Sequence, residues 1–103
     1  MSEEYNVKEL GVLTITSLGT TAKQFTSTRI LAEYIRFDVS VGNPNEIFIG
    51  SSAVSTTNHF ANLDASTEEQ VEINPRGRFL MELSGFWAVA SGGTTGVVTL
   101  HYF

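Results

Sequence analysis

No cysteine occurs in the chain, so neither a disulfide framework nor a thiolate metal site can hold it together. Proline occurs only twice, and charged residues make up 17% of the sequence against about 25% in an average soluble domain. Bases are the scarcer charge: six Lys and Arg face eleven Asp and Glu, for a net −5. That sign opposes general affinity for nucleic acid or anionic lipid. The imbalance is local, because residues 1–37 carry four acids and four bases, whereas residues 38–103 carry seven acids and two bases, Arg76 and Arg78. Ten Ser, twelve Thr and nine Gly fill the gap, beside an ordinary 42% hydrophobic content. A chain of 103 residues suits one domain, with a core built from side chains alone.

An export signal is not expected, since Glu3 and Glu4 stand where a positive region would be needed. Residues 83–103 carry no formal charge, the one place where a membrane span has to be considered. Gly85, Gly92, Gly93, Thr94, Thr95 and Gly96 interrupt that stretch, which reads instead as two strands around a turn. No helical apolar period is sustained for three turns. At most one turn of helix is expected, near Ser66 to Gln70, where Ser66 or Thr67 would cap Glu68 and Glu69.

Strand periodicity is plain. In residues 31–41, Ile35, Phe37, Val39 and Val41 fall on one face, and Tyr34, Arg36, Asp38 and Ser40 on the other. A Gly-Asn-Pro-Asn turn at 42–45 then leads to Ile47-Phe48-Ile49, and the two runs read as a hairpin. Residues 12–17 make a first strand, 18–28 a polar connection or weak strand, and 70–73, 79–83, 86–90 and 97–103 four more short runs. About seven to eight short strands, punctuated by Gly, Asn and Pro, point to an all-β antiparallel sandwich or jelly-roll-like barrel over residues 11–103. Residues 1–10 read either as a frayed end or as an N-terminal arm that orders on a partner.

Catalytic and metal signatures are incomplete. Gly50-Ser51-Ser52-Ala53-Val54 starts like a nucleophile elbow but ends on Val54 in place of glycine, and His59 and His101 are the only histidines. Asn62, Asp64 and Ser66 have the spacing that opens a calcium loop, yet Thr67 and Ile73 stand where glycine and glutamate are required. Glu68, Glu69, Glu72 and Glu82 read as a solvated acidic face, with no cleft to select a catalytic pair. No enzyme activity, metal or cofactor is therefore expected. Arg76-Gly77-Arg78-Phe79 is the one basic spot, too small for a phosphate track and better suited to pairing with Glu72, Glu82 or a partner's carboxylates. The adjacent aromatics Phe86-Trp87 and Tyr102-Phe103 must point to opposite faces of a strand, one into the core and one to a surface or contact.

From Tyr34 onward the features follow a recognisable order. Ile35-Arg36-Phe37-Asp38-Val39 is followed by Asn43, Asn45, Ile47-Phe48-Ile49-Gly50, Val54-Ser55, Asn58 and Leu63. Then come Val71 and Ile73, Phe86-Trp87-Ala88-Val89-Ala90-Ser91, and Val97-Val98, Leu100 and Tyr102. This order resembles small β-rich virion proteins of tailed bacteriophages. The departures are His59, where such proteins commonly have glycine, and 64–69, where they have a Pro-Gly-Glu turn. The resemblance implies a compact sandwich and a structural or accessory place on the virion surface, reached by assembly in the host cytoplasm. An auxiliary capsid decoration or cement protein, or a head-fibre base, is the leading expectation. Its partners would be the major capsid protein or another virion component, and copies of itself, a homotrimer being favoured. The residues expected to hold partners are Tyr5, Arg76, Arg78, Phe79, Trp87 and Phe103. The alternative is a receptor- or glycan-binding module of a tail or fibre, with Trp87 as platform beside the 51–58 loop.

Overall fold

A computed structural model describes residues 11–39, 45–64, 69–74 and 78–103, with the backbone alone for Glu69. Two antiparallel four-stranded sheets pack face to face. In chain order the strands are β1 (Gly11–Leu18), β2 (Lys23–Gln24), β3 (Leu31–Ala32), β4 (Ile35–Val39), β5 (Ile47–Gly50), β6 (Ala61–Leu63), β7 (Glu69–Ile73), β8 (Met81–Glu82), β9 (Trp87–Ala90) and β10 (Gly96–Tyr102). The first sheet runs β1-β10-β4-β7 and the second β2-β9-β5-β6, while β3 and β8 form a separate two-stranded piece. This is the all-β sandwich the sequence predicts.

The period-two pattern builds the core. In β4 the alternation gives Ile35, Phe37 and Val39 buried and Arg36 and Asp38 half-buried on the other face. Ile15, Val98 and Leu100 join them from the first sheet, and Ile47, Ile49, Leu63, Ala88 and Ala90 from the second. Each fully buried Leu, Ile or Phe stabilises the fold by about 1.5–3 kcal/mol. Phe37 touches three other rings, Phe25 at 5.5 Å, Phe86 at 5.6 Å and Phe60 at 6.1 Å between centroids.

Several local expectations change. β4 and β5 do not form a hairpin: β4 lies in the first sheet and β5 in the second, between β9 and β6. All four residues of β5 are buried. A strand without a polar side needs cover on both faces, here the main core against Ile47 and Ile49 and the chain after Gly50, through Val54, against Phe48. The run 31–41 is also divided, because Leu31–Ala32 pairs with β8 before the chain enters β4. The run 79–83 shortens to β8, followed by a single 3-10 turn at Leu83–Gly85. The helical turn expected near Ser66 does not form at Glu69 and Gln70, which belong to β7, and 65–68 lie outside the described residues.

The ends of the sandwich differ in their chain. At one end residues 91–95 link β9 to β10, with Gly93 at φ +71°, where a Cβ would lie 2.5 Å from Asn45 Nδ2. The left-handed backbone there favours glycine, and a larger side chain would also displace the Asn45 amide. At the opposite end β10 leaves and β4 enters, tied by Phe103 N donating to Tyr34 O at 3.2 Å and Tyr34 N to Phe103 O at 3.2 Å. Because β9, β5 and β6 alternate in direction, β9 and β6 also begin, and β5 ends, at this Tyr34 end.

Candidate functional site

Three surfaces carry chemistry, and each is placed by a strand register. On the outer face of the first sheet, Arg36 stands between His101 of β10 and Glu72 of β7, and Asp38 between Thr99 and Gln70. Asp38 is shared: His101 Nε2 lies 2.9 Å from Oδ2, and Arg36 Nε donates to Oδ1 and Oδ2, each at 3.1 Å. Tyr34 Oη donates to Glu72 Oε2 at 2.6 Å while its ring stacks on Phe103 at 5.0 Å. The bond to Glu72 is the main cause that holds the Tyr34 phenol above its ordinary 10.0, with burial and the Glu72 charge adding to it. Burial acts to lower the Arg36 value, but the charge and hydrogen bond of Asp38 outweigh it and hold Arg36 above its ordinary value. With both carboxylate oxygens taken, Asp38 clamps β10 to β4.

The second sheet has a different outer face. Phe48 and Val89 lie opposite each other across β5 and β9, and together with Val54 they form a small buried cluster that Trp87 and Ala22 wall. Residues 51–59 fold back over it. Val54 N donates to Ser51 O at 2.9 Å, Ser55 and Asn58 exchange backbone bonds of 2.9 and 3.2 Å, and Asn58 Nδ2 reaches Ala53 O at 3.0 Å. The His59 ring packs on Phe48 at 4.7 Å, and its Nδ1 lies 3.1 Å from Ser55 O. Gly50 permits this fold-back, since a Cβ there would meet Val54 Cγ2 at 2.9 Å. His59 is thus spent on its own loop, and Ser52 stands exposed. Asn62, read as the head of a calcium loop, donates instead to Glu46 Oε2 at 2.8 Å. No group of three His, Asp or Glu converges among the described residues.

The third surface is the Tyr34 end. Seven large apolar residues are notably exposed among those described, and five of them, Leu31, Phe60, Phe79, Leu80 and Phe103, lie at this end. Phe79 and Leu80 run into β8, Leu31 lies in its partner β3, Phe60 opens β6 and Phe103 closes the chain beside Tyr34. Phe79 and Leu80 are 58% and 54% exposed. Phe60 carries the aromatic cluster outward from the core, with its ring 5.8 Å from Phe86.

The expected partner residues divide accordingly. Phe79, Phe103 and the exposed Arg78 meet at the Tyr34 end, which Trp87 also borders as the first residue of β9. Trp87 is half-buried in the outer cluster of the second sheet, whereas Phe86 packs toward the main core, the opposite facing their adjacency requires. Tyr5 and Arg76 lie outside the described residues. Glu82, one of the carboxylates expected to pair with the 76–78 turn, lies 3.4 Å from Arg29 and accepts from Ser84 Oγ, while Arg76 lies outside the described residues. The register of β3 with β8 puts Arg29 nearer to Glu82 than its place in the sequence suggests. Sequence reasoning missed Leu31, Phe60 and Leu80, and only the break in alternation at Glu33-Tyr34 signals that Leu31 leaves the core phase. It placed His101 in a sheet but missed its contact with Asp38, a partner in a different strand. No protein-family model, no curated protein and no solved structure matches the chain.

Proposed function

We propose that the chain is an auxiliary structural protein of a bacteriophage virion, a capsid decoration or cement protein or the base of a head fibre, that binds the assembled capsid through its Tyr34 end. The observation that carries the docking role is the gathering of Leu31, Phe60, Phe79, Leu80 and Phe103 at one end of a sandwich whose other large apolar side chains, among the described residues, are mostly buried. Exposed apolar residues scattered singly need no explanation, but five at one end mark a contact. The virion setting rests on the order of motifs from Tyr34 to Tyr102.

The work done is stabilisation by linkage. A protein that binds the assembled shell and not its dissociated subunits shifts the equilibrium toward the shell. The apolar end supplies burial, and the net charge of −5 favours a basic patch on the capsid protein as the receiving surface. Quantitative mass spectrometry of purified virions is expected to find the chain as a stoichiometric, multi-copy component, and its absence there overturns the proposal. A Phe79→Ser, Leu80→Ser double variant, altered only at exposed positions, is expected to fold but to be lost from the particles.

A further inference from the structure

We propose that β1 pairs antiparallel with β1 of a second copy of this chain, about a two-fold axis at Leu13, joining the two first sheets into one. β1 and β7 are the edges of that sheet. An edge strand turns alternate N–H and C=O groups away from its one neighbour, which makes it a template for another strand. Among the described residues, β1 pairs with β10 alone.

The two edges differ in charge. β7 carries Glu69 and Glu72, so two copies meeting along it would set acids near acids. β1 has no charged residue in eight. In a chain of net −5, this neutral edge is where self-association meets least repulsion.

The register follows from how half of β1 is protected. Its pairing with β10 shifts between Ile15 and Leu18, Ser17 adopts φ +53°, and Lys23 Nζ donates to the carbonyls of Thr16 and Ser17 at 3.2 Å each. A bulge and a lysine are the devices that keep an edge from accepting a strand. Residues 11–15 have neither, and they run in unbroken register against Tyr102 to Val98. Leu13 is the middle of that stretch. Antiparallel pairing about it sets Leu13 against its own copy and Val12 against Thr14, which covers Val12, now 54% exposed, and completes the burial of the half-buried Leu13. Two-fold symmetry makes such a contact self-complementary and closed, a dimer in place of the trimer favoured from the sequence.

The two copies then run in opposite directions, so their Tyr34 ends face opposite ways and the dimer presents two separate apolar contacts. That last consequence rests on the proposed docking role, whereas the strand pairing does not. Sedimentation equilibrium of the purified full chain tests the pairing separately from any virion measurement. A dimer is expected at sub-millimolar concentration. Val12→Lys and Thr14→Lys, both at exposed positions, are each expected to weaken it by about tenfold or more with the circular dichroism spectrum unchanged. Leu13→Cys, the only thiol in its chain, is expected to give a covalent dimer on oxidation. A wild-type chain that stays monomeric overturns the proposal, as does a dimer indifferent to both lysines. A dimer that Phe79→Ser dissolves and Val12→Lys spares would overturn it too, by placing the contact at the apolar end.

Discussion

On the outer face of the β1-β10-β4-β7 sheet, Arg36, Asp38, His101 and Glu72 meet water, while on the outer face of the other sheet Phe48 and Val89 are only 7% and 4% exposed. Both sheets give one face to the same core. The first finishes its second face with polar side chains that bond across strands, and the second with its own chain, residues 51–59 folded back from Gly50. The difference is visible in the strands themselves. β4 alternates buried and half-buried residues, whereas β5 is buried throughout. A continuous apolar run in an antiparallel sandwich therefore marks a strand with a lid as well as a core, and the lid is the part its neighbours in sequence must build.

The largest effects test whether the two apolar layers are equally firm. Phe37→Ala removes a fully buried ring that touches three others, and denaturant unfolding is expected to register a loss of about 3–5 kcal/mol. Phe48→Ala in the outer layer is expected to cost less, about 2–3 kcal/mol, because the 51–59 segment can settle into the space whereas two sheets cannot. Equal losses would mean that the lid is as rigid as a sheet.

An intermediate effect addresses the lid alone. A Cβ at Gly50 lies 2.9 Å from Val54 Cγ2 and 3.1 Å from its Cβ, so Gly50→Ala must push the fold-back away. A thermal melt is expected to show about 1–3 kcal/mol of destabilisation, with new proteolytic cleavage within 51–58. On the polar face of the first sheet, Thr99→Ala is expected to stay within about 0.5 kcal/mol and to open no new cleavage site. Cleavage appearing equally in both variants would remove the distinction between lidded and open faces.

How much of this the sequence reveals follows from the same contrast. The alternation in Ile35-Arg36-Phe37-Asp38-Val39 names both faces of β4 correctly because period two is a local property. The buried character of Ile47-Phe48-Ile49 is equally clear, but its sheet is not, since the Gly-Asn-Pro-Asn sequence suits a tight turn as well as a crossing between layers. β6, only three residues long, lacks a period to detect. For the surfaces, Phe79 and Phe103 stand out by being aromatic beside a turn and at the chain end. Leu31, Leu80 and Phe60 do not, because their exposure depends on where β3, β8 and β6 stop. The His101–Asp38 contact joins strands 63 residues apart and becomes visible only once β10 lies beside β4.

The smallest effect tests the polar face through one hydrogen bond. Tyr34 donates to Glu72, which raises the phenol above 10.0 in the folded chain, so the folded state holds this proton more tightly than the unfolded state does. The bond's contribution is accordingly complete below pH 10.0 and is lost as pH rises through the higher folded value, where the phenolate would face the Glu72 carboxylate. Tyr34→Phe keeps the stack on Phe103 and removes the bond, at a cost below about 1 kcal/mol near neutral pH for so accessible a pair. Urea midpoints of the two proteins are expected to differ at neutral pH and to converge as pH climbs above 10.0. A difference that stays constant across that range would show that Glu72 does not govern the phenol. Glu72→Gln offers the complementary reading: the Tyr34 phenolate absorbance should then appear at lower pH than in the unaltered chain, because the acceptor that opposed ionisation no longer carries charge.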